Sequence, residues 1–187
     1  VIRVYADDQL VYAPDLDDYV LQTLQVTVSA TTSGTATITM PPGHPASNSF
    51  TSYKTIVTVY RDDVLLFRGR ALYATDDFFN FRTITCEGER GFLQDSVVRP
   101  YLYQDSPAAV FTSVVGVYNE QVEAAKRFRV GTITVVDAND YIRLEHESAE
   151  PVSDTINKLL ERCGGYIVFT TDPEEGARVV NWYASLD

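Results

Sequence analysis

Through most of its first half the chain alternates. Between Val1 and Tyr12 apolar and polar positions change places around a break at Ala6-Asp-Asp8, the pattern of a β-hairpin. From Val20 to Ser29, Val20, Leu24, Val26 and Val28 interleave with Gln and Thr, and from Gly34 to Met40 the alternation runs through Ala36, Ile38 and Met40. Thr31-Thr-Ser-Gly34 is the predicted turn between them. Pro41-Pro-Gly-His-Pro45 stops the sheet, because proline has no N–H to give to a ladder. Ile56–Tyr60 and Leu65–Tyr73 read as the next hairpin, with Asp62-Asp63 where a tight turn needs left-handed backbone. Gly69, inside the returning strand, predicts a bulge or bend that helps a sheet to curl. A turn over 76–80 leads into Arg82–Glu87, with Ile84 and Cys86 on one face and Thr83, Thr85 and Glu87 on the other. About seven short strands over residues 1–95 is the pattern of a sandwich or small barrel.

The grammar then changes. Gly88 opens a short polar turn, with a single helical turn through Phe92 and Leu93, and the segment leaves at Pro100. Ser106-Pro107 is a helix start, serine as N-cap and proline at the first helical position. Val110, Phe111, Val114, Val115, Tyr118 and Val122 recur at spacings of three and four and form one apolar stripe. Gly116 interrupts it at a cost of about 1 kcal/mol, which predicts a second backbone packed close. Lys126, Arg127 and Arg129 are expected near the helix end, at the negative pole of its dipole. A strand over Val130–Val136, a turn at Asp137-Ala-Asn-Asp140 and a short strand from Tyr141 follow. Pro151 opens a second helix with Val152, Ile156, Leu159, Leu160 and Cys163 on one face, and Gly164-Gly165 ends it through a left-handed cap. Tyr166–Phe169 and Arg178–Tyr183 read as a closing hairpin around Asp172-Pro-Glu-Glu-Gly176. The expected fold class is α+β: a β-rich, sandwich or barrel-like unit at 1–95, then a mixed unit at 96–187 with two helices and short strands. A chain that begins with Val and stops soon after a strand is expected to be a section of a longer protein.

Composition narrows the function classes. The 187 residues carry a net charge of −11, which argues against binding nucleic acid or an anionic membrane, since both need basic patches. The abundance of aromatic residues (12 Tyr and 9 Phe) favours strands. No apolar run approaches the roughly 18–20 residues of a membrane-spanning helix. Cys86 and Cys163 match no metal spacing and are expected as buried free thiols. Asp15, Asp17 and Asp18 lack the register of a calcium loop and read as a solvated connection. His44 lies between Gly and Pro and reads as a loop residue, and His146, between Glu145 and Glu147, as a solvated strand end.

Acid pairs are the one source of candidate catalysis. Glu87 and Glu89 flank Gly88, with Asp95 following. A glycosidase would need two such carboxyls facing each other about 5–10 Å apart, one in an apolar pocket. Strand-end carboxylates hydrogen-bonded to a turn or to an arginine, Arg90 or Arg99, are the expected arrangement instead. No Gly-x-Ser-x-Gly elbow is present. No residue is therefore assigned a catalytic, cofactor-binding or metal-binding role, no cofactor is expected, and the chain is not expected to be an enzyme. A cell-wall hydrolase or peptidase, or a carbohydrate- or receptor-binding β module with an exposed aromatic patch, are the alternatives.

An ordered series of segments carries a resemblance. Gly34-Thr-Ala-Thr-Ile-Thr-Met-Pro-Pro-Gly-His-Pro45, Val59-Tyr-Arg-Asp-Asp-Val64, Leu66-Phe-Arg-Gly-Arg70, Ile84-Thr-Cys-Glu-Gly88, Phe92-Leu-Gln-Asp-Ser96 and Arg99-Pro-Tyr101 come in turn. Tyr118-Asn-Glu-Gln-Val122, Phe128-Arg-Val-Gly-Thr-Ile-Thr-Val135 and Leu160 to Tyr166 complete it. Together they resemble the N-terminal hub region of the prophage endopeptidase tail or tail-associated lysin proteins, similar in fold to baseplate hubs. The resemblance implies a homotrimeric ring at the tip of a tail tube, built from two barrel-like subdomains per chain. It also implies contacts with distal tail or tube proteins, a place in the virion tail after synthesis in the bacterial cytoplasm, and any enzymatic activity in C-terminal modules. An acidic ring of this kind is expected to repel the phosphate of DNA passing through it. Arg82 to Tyr101 would be the junction between the two halves.

Overall fold

The computed structural model describes residues 1–29 and 31–186, and the chain divides into two compact units, Val1–Glu89 and Arg90–Asp187. Unit 1 is one antiparallel sheet of β1 (Ile2–Ala6), β2 (Gln9–Tyr12), β3 (Thr23–Thr27), β4 (Thr35–Met40), β5 (Ile56–Arg61), β6 (Val64–Asp76) and β7 (Arg82–Gly88). Their order is β2-β1-β5-β6-β7-β4-β3, and the sheet curls into a half-barrel. Of the two β architectures the sequence left open, this is the barrel-like one.

The curl follows from β6. Its first half pairs with β5, from Arg61↔Val64 to Ile56↔Arg70, and its second half with β7, from Gly69↔Gly88 to Asp76↔Arg82. Its two neighbours are thus displaced along it, which is the stagger that lets a sheet close on itself. The bulge on the β7 side lies between Ala71 and Tyr73, not at Gly69, and a second lies between Val59 and Tyr60 of β5. Gly69 has a different job, described below. Inward residues of both halves, among them Val4, Val11, Ile38, Met40, Val59, Phe67, Ile84 and Cys86, form a single buried cluster. Asp62 and Asp63 take the expected left-handed backbone, with φ of 49° and 67°. β3 is shorter than its alternation because β4 offers partners only to Thr23–Thr27. Val20 and Val28 fall outside the ladder and are exposed.

Unit 2 begins with a 3-10 turn that starts at Glu89 and runs to Asp95, where Phe92 and Leu93 are buried as the expected helical turn requires. β8 (Val97–Val98) and β9 (Tyr101–Asp105) precede α1 (Pro107–Gln121); β10 (Arg129–Ile133), β11 (Ile142–His146) and β12 (Glu150–Pro151) separate it from α2 (Val152–Cys163); β13 (Tyr166–Thr171) and β14 (Arg178–Tyr183) form the closing hairpin. β14 also pairs in parallel with β10, while β9 pairs with β11 and β8 with β12. β8, β9 and β12 are too short or too polar for alternation to reveal them.

Ser106 caps α1, its hydroxyl accepting from the Ala109 N–H at 3.3 Å. The helix ends at Gln121, so Lys126, Arg127 and Arg129 lie beyond its last turn rather than in it. Arg127 still reaches back to the Val122 carbonyl at 3.5 Å, whereas Arg129 pairs with Asp172 and Glu175. No atom outside α1's own backbone and the flanking residues comes within 4 Å of a Cβ built on Gly116, so the predicted close backbone is absent there. α1 and α2 pack together; the Phe111 ring of α1 meets Trp182 of β14 at a tilt of 37° with centres 5.3 Å apart, and Trp182 donates to the carbonyl of Gly164, just past α2, at 3.1 Å. Gly164 ends α2 with φ 75° and ψ −161°, a conformation open only to glycine but not the left-handed helical one expected, and its N–H still donates to the Leu160 carbonyl at 2.7 Å.

Candidate functional site

Two of the carboxylates that drew attention in the sequence, Glu87 and Glu89, are held in ion pairs. Glu87, on β7, and Glu89, just past its end, flank Gly88, and across the ladder β6 offers Arg70 opposite Glu87 and Arg68 two residues before it. Arg70 Nε and Nη2 both donate to Glu87 Oε1, at 2.8 and 2.7 Å. Arg68 forks onto Glu89, Nε to Oε1 at 2.8 Å and Nη2 to Oε2 at 3.3 Å. Arg70 and Glu89 are almost fully buried, and the Arg70 guanidinium lies 5.2 Å from the centre of the Tyr53 ring. An arginine does hold each glutamate, but it is Arg68 or Arg70, not Arg90 or Arg99.

The two glycines at the centre of this arrangement explain its compactness. Gly69 and Gly88 face each other across the ladder. A Cβ on Gly69 would stand 2.0 Å from the Glu87 carbonyl oxygen and 2.7 Å from the Phe67 ring, and one on Gly88 would stand 1.8 Å from the Ser33 carbonyl oxygen. Glycine is required here for close approach. With an arginine on each carboxylate, neither sits in the apolar pocket that a general acid needs.

A second polar centre lies in unit 2, around a residue the sequence reading passed over. Glu150, on β12, is 8% exposed and accepts from Tyr101 Oη at 2.7 Å, Thr155 Oγ1 at 2.9 Å and Lys158 Nζ at 2.5 Å. His146 Nε2 stands 3.4 Å from its Oε2, stacks on Tyr101, and its Nδ1 is 2.8 Å from the Ser148 carbonyl. His146 is therefore partnered, not merely a solvated strand end. Burial would raise the Glu150 pKa, but the bonds from Lys158, Tyr101 and Thr155 outweigh it and hold the carboxyl below its ordinary value. Burial, and then Glu150 itself, push the Tyr101 phenol well above the usual range. One carboxylate thereby ties β9, β11 and α2 to β12.

The remaining candidates are scattered. His44 sits in the predicted loop but is buried, accepting from the Ala46 N–H at 3.1 Å, and burial lowers its pKa. Cys86 is a buried free thiol pushed up to about 12 by its burial; Cys163 is also free but only half-buried. Asp15, Asp17 and Asp18 are exposed. Among the described residues no group of three or more His, Cys, Asp or Glu is placed to hold a metal ion, and no helix is long and apolar enough to cross a membrane.

The architecture, however, is shared with known structures. No family model matches the chain, and a comparison with curated proteins finds no match. Solved structures do match. A 43 kDa tail protein of prophage MuSo2 from Shewanella oneidensis superposes with a TM-score of 0.60 at 16% identity, over 96% of this chain and 53% of that one. A tail protein from Neisseria meningitidis gives 0.63 at 10% identity, over 96% and 49%. The chain has the fold of a phage tail-hub domain. A Francisella PdpA–VgrG complex shares this hub-like fold, with a TM-score of 0.51 at 13% identity over all of this chain and 28% of that one. The chain spans about half the length of the tail proteins it matches.

Proposed function

We propose that the chain is a structural domain of the hub at the tip of a phage or prophage tail. Copies of it form a ring, a homotrimer in the complete protein, that caps the tail tube, contacts distal tail or tube proteins, and carries further modules. Its place is the virion tail, after synthesis in the bacterial cytoplasm. The observation that carries this reading is the likeness in fold, through 96% of the chain, to two separate tail proteins, one of them from a prophage. The two units are the two subdomains that each ring subunit contributes. The chemistry is in keeping with a scaffold: the carboxylates Glu87, Glu89 and Glu150 are spent on ties to β6 and α2. The net charge of −11 suits a ring that lets DNA pass without holding it.

Mass measurement of the complete protein under native conditions tests the reading, and a trimer is expected. A strict monomer at high concentration would overturn it. So would peptidoglycan hydrolysis by this chain that Glu87→Gln abolishes, because that places catalysis where a structural ion pair is proposed.

A further inference from the structure

The loop joining β6 to β7 carries the most exposed aromatic pair of the chain's described residues. Phe78 is 91% exposed and Phe79 69%, their rings edge-to-face with centres 5.3 Å apart. The loop is firmly built. Asp77 Oδ1 accepts from the N–H groups of both Phe79 and Phe81 at 2.9 Å, the Asp77 N–H donates to the Phe81 carbonyl, and Asn80 takes left-handed backbone to donate to the Asp77 carbonyl. Two phenyl rings held in water by so ordered a loop bury nothing within their own unit. Rigid aromatic residues of this kind lose little entropy on being covered, which suits an anchor in an interface.

Unit 2 offers a receptor. A groove of about 860 Å³ is walled by Val97, Pro100, Tyr103 and Val117, with Arg99 and Glu120 also lining it. Val97 is 44% exposed in the groove. Arg99 is exposed and makes no ion pair with any described residue, although the chain carries 26 acidic and 15 basic residues. The aromatic loop brings its own acids, Asp76 and Asp77, immediately before the phenylalanines. Glu120 obliges that acidic flank to enter beside Arg99.

We propose that the Phe78–Phe79 loop of one copy seats in the Val97–Val117 groove of the next, with Asp76 and Asp77 facing Arg99. The occupant is a second copy of this chain. A knob on unit 1 and a groove on unit 2 are different patches, so the contact is head-to-tail, and such a contact builds a ring where its rotation closes. The proposal rests on the ring reading above and names the contact that would hold the ring together. The two rings are its anchor, and flanking surface supplies the rest of the area that a stable interface needs.

Sedimentation of the chain over a wide concentration range tests it. The wild-type chain is expected to associate. Phe78→Ser/Phe79→Ser and Val97→Asp/Arg99→Asp, all at exposed side chains, should keep the far-UV circular dichroism and weaken association at least ~30-fold, as loss of a hot spot does. Mixing the two variants should restore one intact contact per pair, giving a 1:1 dimer and nothing larger. If rings persist in Phe78→Ser/Phe79→Ser, the contact is wrong and the hub reading stands. A wild-type chain that stays monomeric at millimolar concentration also overturns the contact, and the hub reading then turns on the mass of the complete protein. A mixture that fails to dimerise overturns the head-to-tail arrangement. Association with neutral phosphatidylcholine vesicles that depends on Phe78, without self-association, would show the loop to be a lipid anchor and overturn the proposal.

Discussion

Replacing Glu150 should uncouple α2 from the strands beside it, and the loss can be sized from its bonds. Glu150→Ala removes acceptors for Tyr101, Thr155 and Lys158. Thr155 is fully buried, so its hydroxyl loses the Glu150 acceptor where water cannot replace it, at about 1–3 kcal/mol. Tyr101 is half-buried and adds about 1 kcal/mol, while the partly exposed Lys158 contributes no more than about 1 kcal/mol. The sum is about 2–5 kcal/mol. Glu150→Gln keeps an oxygen for the two hydroxyls but turns a donor toward Lys158, and should cost about 2 kcal/mol. Trp182 is the chain's single tryptophan and is fully buried in unit 2, so its fluorescence in urea reports this unit alone. Glu150→Ala costing less than about 1 kcal/mol would refute the reasoning.

The pH dependence gives a second handle. The folded-state pKa of Glu150 is depressed, so its contribution is fully present above the unfolded value of about 4.3 and is lost as pH falls through the folded value. The stability gap between wild type and Glu150→Gln should therefore be constant near neutrality and narrow below about pH 4. A gap that is flat down to pH 2, or widens in acid, would mean the carboxylate is not held ionised by these partners.

Three smaller tests follow. Gly69→Ala drives a methyl into the Glu87 carbonyl and should cost several kcal/mol, about 3 or more, in the unit 1 transition seen by circular dichroism. Gly116→Ala meets no such obstacle and should stabilise unit 2 by up to about 1 kcal/mol, since only helix propensity changes. Thiol titration at pH 8 should label the half-buried Cys163 in the native chain while Cys86, buried and pushed up to about 12, reacts only on unfolding.

The parts of the fold that were legible in the sequence are those where local pattern and tertiary packing agree. Ile84 and Cys86, Ala36, Ile38 and Met40, and the Ser106-Pro107 cap all declare themselves within a few residues. What stayed hidden depends on distant partners. The bulge at Leu72 is set by the stagger of β7 on β6, and Gly69 looked like the bulge because close approach to Glu87 demands glycine just as a bulge does. β8 and β12 are two residues each, below the length at which alternation has meaning. Gly116 misled because a helical glycine only suggests a neighbour. Glu150 gave no signal at all, since Tyr101, His146, Thr155 and Lys158 converge on it from two strands and one helix. One missed signal was available: Arg68-Gly-Arg70 and Glu87-Gly-Glu89 are triplets of opposite charge around a glycine, and antiparallel pairing of the two is the arrangement that satisfies both.

That pairing does more than neutralise charge. With Gly69 opposite Gly88, a slip of two residues in the ladder leaves at most one Arg–Glu pair and sets a side chain against a glycine's close contact, so the triplets fix the register of β6 on β7 and with it the stagger that curls the sheet. Desolvation makes such buried pairs poor sources of net stability, whereas losing one partner is expensive. Arg70→Met alone should thus cost about 3 kcal/mol, at the low end of the usual range because Glu87 keeps some access to water. Arg70→Met together with Glu87→Leu should recover most of that loss, the register then resting on Arg68, Glu89 and the two glycines. The comparison is read by denaturant unfolding of unit 1, followed by circular dichroism and separated from the Trp182 signal. If the double variant is no more stable than Arg70→Met, the two residues are not coupled, and the register must be held by Gly69 and Gly88 alone.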